Sequence, residues 1–157
     1  MPKDNQKGFS LLGVIIAVFI AAVSLVGILT LASISLKGAS VSKMRLIASG
    51  LAQEGIEVVR DIRRLNTDKT NWTNWYNGLS DGDYRVQYDT TSLTTPYSGA
   101  YLRMNANGLY QYGSGSETLF KRKVTLTKIS ADEVKVVVEV KWQEHTLSAE
   151  DRLWNWK

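Results

Sequence analysis

The sequence predicts an α+β protein: a long N-terminal helix, half of it membrane-spanning, with its second half packed on a C-terminal antiparallel sheet of about four to five strands. Three observations predict it. Between Lys7 and Lys37 there is no Asp, Glu, Lys, Arg or His, and every acidic residue except Asp4 lies at Glu54 or later. From Val41 to Leu65 apolar residues return every three to four positions. Beyond Leu79 the pattern changes to short alternating runs broken by Gly, Asn and Asp. The averages, 44% hydrophobic and 22% charged over 157 residues, hide this division into an apolar rod and a polar remainder.

The run Phe9–Leu36, FSLLGVIIAVFIAAVSLVGILTLASISL, is uncharged and free of proline. Roughly 20 apolar residues suffice to cross a bilayer as a helix, so this run is long enough. Ser10, Ser24, Thr30, Ser33 and Ser35 do not veto insertion, because their hydroxyls can bond to the helix's own carbonyls. Lys3 and Lys7 ahead of the run, against Asp4, set the N-terminus on the cytoplasmic side, with Lys37, Lys43 and Arg45 working against that bias. A secretory signal has a shorter apolar region, of about 7 to 15 residues.

The boundary Lys7-Gly8-Phe9-Ser10-Leu11-Leu12 puts a short basic leader, then Gly, then Phe, directly against the apolar helix. It resembles the signature of type IV prepilins, a family that includes pilins, minor pilins, secretion pseudopilins and competence pilins. The resemblance implies cleavage after Gly8 by a prepilin peptidase, N-methylation of Phe9, and retention of the helix in the mature protein. It divides the chain into a leader (1–8), a transmembrane and filament-core helix (9–36), an amphipathic half (37–65) and a β-rich head (66–157). Phe9, Leu11, Leu12, Gly13, Val14 and Ile16 open the implied assembly surface. One position departs from the pattern. The family usually carries Glu at the fifth mature residue, where this chain has Gly13. In the family that carboxylate pairs with a neighbour's N-terminal amine; its absence points to a minor subunit at a filament tip. The competing reading makes Gly13 a close-packing residue between helices.

In the second half of the helix Ile47, Leu51, Val58, Ile62 and Leu65 share a stripe with Gly55, while Lys43, Gln53, Glu57, Arg60, Asp61 and Arg64 fall mostly elsewhere. This is an amphipathic helix facing a partner surface. A continuous helix from Phe9 to Leu65 would measure about 85 Å. Leu51–Arg60 resembles a stretch common in minor prepilins of the PilV type.

Asn66–Leu79 reads as a loop. Its Trp72, Trp75 and Tyr76 form either a lid over the sheet edge or an exposed contact patch, and Asn71-Trp72-Thr73 fits a glycosylation sequon. Asp81-Gly82-Asp83 reads as a turn and is poor evidence for calcium. Strands are expected at Tyr84–Tyr88, at Tyr101–Met104 with Leu109–Tyr112, at Phe120–Ile129 with Val134–Trp142, and at Leu147–Trp156, where Trp154 and Trp156 pack back. Val134, Val136, Val138, Val140 and Trp142 form the buried face of the penultimate run. In Lys121-Arg122-Lys123 the lysines share one face and Arg122 takes the other. The run is either a solvated edge or, beside exposed aromatics, a nucleic-acid contact.

Cysteine is absent, which excludes disulfides and thiolate metal sites. The single histidine, His145, reads as a surface or edge residue, and no phosphate loop, HExxH or GxSxG motif is present. No catalytic residue, metal or cofactor is expected. The resemblance implies other pilin subunits, a prepilin peptidase, an assembly platform and an assembly ATPase as partners. It also implies an inner-membrane location before assembly and a filament or envelope location after it. A competence pilin with nucleic acid as partner and a type II secretion pseudopilin are the alternatives.

Overall fold

The structure, a computed structural model, describes residues 11–66, 75–76 and 78–155. One helix, α1 (Leu11–Asn66), is followed by β1 (Gly82–Tyr84), β2 (Arg103–Met104), β3 (Tyr110–Gln111), β4 (Ser116–Glu117), β5 (Phe120–Ser130), β6 (Glu133–Trp142) and β7 (His145–Trp154). The chain divides into two compact units, Met1–Lys43 and Met44–Lys157. In the first, every described side chain is exposed. The Ser24 hydroxyl donates to the Ile20 carbonyl at 2.8 Å and Thr30 to Val26 at 2.9 Å, so both polar groups are satisfied within the helix as the sequence anticipates.

In the second unit the C-terminal part of α1 lies on one face of a four-stranded antiparallel sheet ordered β1-β5-β6-β7. Ala48, Leu51, Ala52, Val58, Val59 and Ile62 of α1 are buried in one cluster with Phe120, Val124 and Leu126 of β5 and Leu153 of β7. The cluster also takes the expected row of β6: Val134, Val136, Val138, Val140 and Trp142. The helix approaches the sheet most closely at Gly55, where a Cβ would sit 3.0 Å from Val138 Cγ1 and 3.4 Å from Arg122 Cδ. The expected stripe differs at its end. Leu65 is 63% exposed, and Val59 carries the buried contact beside Ile62.

β5 and β6 are joined by the two residues Ala131-Asp132, and β6 and β7 by Gln143-Glu144, with Gln143 at φ 49°. Such tight turns favour positive φ. The register then runs unbroken from Trp142↔His145 to Glu133↔Trp154. It buries Leu153 and leaves Trp154 43% exposed, because neighbours in a strand face opposite ways. The expected inward packing of Trp154 is therefore corrected; Trp156 lies outside the described residues.

Two further expectations change. The run Tyr84–Tyr88 is a strand only as far as Tyr84, which bridges Pro96; the next residue, Arg85, donates its amide to the Thr95 carbonyl. The 101–112 hairpin forms, but as two-residue strands in a separate sheet ordered β3-β2-β4. Its turn is held by Asn105, whose Oδ1 accepts the amides of Asn107 and Leu109. β4 reaches β2 only because residue 115 is glycine: at φ +130°, a Cβ there would lie 2.4 Å from the Met104 carbonyl oxygen.

Candidate assembly surface

Five of the six residues that open the expected assembly surface, Leu11, Leu12, Gly13, Val14 and Ile16, lie in the described part of α1. Gly8 and Phe9, the expected processing site, lie outside the described residues. Leu11, Leu12, Val14 and Ile16 are all exposed, Leu11 at 79%, and a Cβ on Gly13 would meet nothing within 4 Å. The first turn of α1 holds no acidic residue. This helix is long and apolar enough to cross a membrane, and its apolar stretch is not buried. A surface so wide and apolar calls for lipid or protein around it.

The candidate contacts in the second unit separate. Trp75 is 1% exposed; its indole Nε1 donates to the Ala131 carbonyl at 3.0 Å, and the Arg63 guanidinium stands 5.3 Å above its ring. That is the lid arrangement, and it corrects Trp75 as a surface contact: the indole covers the β5–β6 turn. Tyr76 packs edge-on to Trp75 and takes Lys128 Nζ at 3.7 Å over its ring. Trp72 and the Asn71-Trp72-Thr73 sequon lie outside the described residues. Asp81 and Asp83 each accept a hydrogen bond from β5, through the Lys128 amide and the Thr125 hydroxyl.

The basic run 121–123 does not form one surface. Lys121 lies over Tyr101 at 4.2 Å. Lys123 pairs with Glu139 of β6 at 2.5 Å, and that hydrogen bond raises its pKa. Arg122 is 0% exposed, which corrects its assignment as a surface contact. The cause is alternation: Phe120, Arg122, Val124 and Leu126 all point to α1. Its guanidinium bonds to the Leu51 carbonyl at 2.9 Å, the Glu54 carboxylate at 3.0 Å and the Val86 carbonyl at 2.7 Å. It thus joins the helix, the sheet and the loop after β1. The pairing with Glu54 escapes the sequence reading, although Arg122 already alternates with large apolar residues there.

Tyr112 extends this centre, donating its hydroxyl to the Arg122 carbonyl at 2.9 Å, with Arg85 4.9 Å from its ring. Burial, partly offset by Arg122 and Arg85, pushes the phenol pKa above its ordinary 10.0. The folded protein therefore holds this proton more tightly than the unfolded chain does. Its contribution to stability is full below about pH 10 and is lost as pH rises through the higher folded value. Melting curves against pH for the parent and Tyr112→Phe are expected to keep a constant separation below that point and then converge as the parent loses stability. Parallel curves through the alkaline range would contradict this.

Compared with known proteins, residues 3–29 match the prokaryotic N-terminal methylation motif. That motif is the type IV pilin-like signal, and the likeness covers the leader and the first part of the apolar helix. No curated protein and no solved structure matches the chain.

Proposed function

We propose that this chain is a structural, minor subunit of a type IV pilus or related pseudopilus, cut after Gly8 and assembled by helix bundling rather than by any chemistry of its own. The observation that carries the reading is the uncharged helix, exposed on every side, directly behind a methylation signal. Before assembly, lipid covers it. In a filament, neighbouring helices replace that lipid. Lipid tails are as apolar as leucine, so this exchange gains side-chain packing and not hydrophobic burial. Extraction from the membrane then calls for the assembly platform and ATPase as partners, after the prepilin peptidase. The minor role rests on Gly13, which offers no carboxylate to a neighbour's amine; an unpaired ammonium in an apolar core costs several kcal/mol or loses its proton. A tip position meets that cost on one side only. A nucleic-acid role draws less support, since Arg122 is buried and Lys123 is paired.

Mass spectrometry of sheared filaments tests the reading. The chain is expected to begin at N-methylated Phe9 and to be scarce beside the principal pilin. Gly8→Glu is expected to block cutting and hold the protein in the membrane. An assembled chain that keeps Met1 or Pro2 would overturn the processing, and this chain as the most abundant pilin would overturn the minor role.

A further inference from the structure

Lys37, Lys43 and Arg45 lie on the side of the apolar run where the insertion bias disfavours cations. Lys37 closes the uncharged run and Lys43 follows it on the same helix, both within the first compact unit. Both are exposed, as is every residue between them. Neither has an ion pair among the described residues. No acidic residue stands between Asp4 and Glu54. Their height on the helix is what a membrane would set. From Leu11 to Leu36 the helix measures about 39 Å. The hydrocarbon core of a bilayer is about 30 Å thick, and about 40–45 Å with its headgroup layers. With the start of the run at one headgroup layer, Lys37 falls in the other and Lys43 stands about 9 Å further out. That is close to the Debye length of ~8 Å at physiological ionic strength, so both lysines feel a charged surface. The helical repeat sets them about 120° apart around the axis, on two sides of the helix instead of one face. Gly38, Ala39, Ser40 and Ser42 keep the helix narrow between them, and the two hydroxyls can donate to phosphate or glycerol oxygens.

We propose that Lys37 and Lys43 form a binding site for anionic phospholipid headgroups in the leaflet opposite the N-terminus, occupied while the subunit is held in the membrane. The proposal rests on the membrane-held stage of the reading above. A lipid fits better than a protein partner, because the lysines continue a run already sized to the bilayer and flank the helix on two sides. Charge complementarity selects an anionic headgroup over a zwitterionic one, since the chain supplies no carboxylate there. A lysine stem lies along apolar surface while its ammonium reaches the phosphate layer. Arg45 adds a third cation just beyond. These contacts are lost when the helix leaves the bilayer, so the site adds to the work of extraction.

Spin-labelled lipids test this on the full-length protein, in vesicles of equal parts phosphatidylcholine and phosphatidylglycerol. The helix is expected to retain the glycerol lipid in preference to the choline lipid. Lys37→Gln with Lys43→Gln is expected to lower that preference by about fivefold per lysine. Glutamine matches lysine in helix propensity, so the helix is kept. Lys37→Arg with Lys43→Arg is expected to keep the preference, and about 1 M salt, where the Debye length is ~3 Å, to remove most of it. Lys121→Gln with Lys141→Gln takes the same charge from the sheet and is expected to leave the preference unchanged. An equal loss in that pair would make net charge the cause and overturn the site, as would glutamines at 37 and 43 that keep the full preference. Carbonate extraction separates the two readings. A chain that stays in the membrane without lipid preference overturns the site alone; a chain released by carbonate overturns the membrane-held stage as well.

Discussion

Replacing Arg122 by alanine is expected to cost about 3–5 kcal/mol, the range for breaking a buried ion pair by removing one partner. For a unit of this size that lowers the melting midpoint by roughly 10–20 °C. Three losses combine. The Val86 carbonyl, at a residue with no exposed surface, loses its 2.7 Å donor. The Glu54 carboxylate loses its partner at 3.0 Å, although at 33% exposure it can turn to water. The cavity left between β5 and Gly55 removes contacts that a short side chain cannot restore. Arg122→Met separates these terms, because it refills the volume without restoring a donor. If the orphaned carbonyl matters, methionine recovers only part of the loss. Recovery to the parent's midpoint would make packing the whole effect. An alanine variant melting within a few degrees of the parent would refute the account of Arg122 as the junction of helix, sheet and loop.

That junction also marks how far the sequence could be read. The helix, the β5–β6 hairpin and the five-residue face of β6 were legible because each rests on a local period, 3.6 or 2, that no distant residue needs to confirm. The apolar half of the helix was legible as one uncharged run behind Gly8-Phe9. Arg122 was half legible. Alternation put it opposite Lys121 and Lys123, but which face was buried depended on α1 meeting β5, a relation between residues 68 positions apart. Composition then drew all three cations to the surface. Trp75 resisted for a similar reason, since its partner is the Ala131 carbonyl, 56 residues away. Trp154 departs from its expected packing because a strand's facing follows register and not side-chain size. In β7 the register from the Gln143-Glu144 turn decides the facing, and it buries Leu153. The short strands β2, β3 and β4 leave too few residues for any period to appear.

Parity also sets the second large effect. Val138→Glu is expected to abolish cooperative folding or cost several kcal/mol, whereas Val137→Lys, one residue away, is expected to fall within about 0.5 kcal/mol of the parent. Val138 has no exposed surface and lies between Val124 and Ala149 in the register, with Gly55 of α1 directly above it. The cation that borders the same Gly55 position, Arg122, is already committed to Leu51, Glu54 and Val86 and is not free to pair with a carboxylate there. Relief by backbone movement is blocked, since Gly55 already brings the helix to the limit of contact. Val137 faces the other way, half-exposed between Thr125 and Glu150, so a lysine there meets an acidic cross-strand neighbour in water. Both variants keep the chain length and the hairpin turns and differ only in which side of the strand receives the charge. A shift of the β6 register by one residue would exchange their effects. Thermal melting of the pair therefore reads the facing of β6 directly: a stable Val138→Glu beside a disrupted Val137→Lys would mean that α1 covers the opposite face of the sheet.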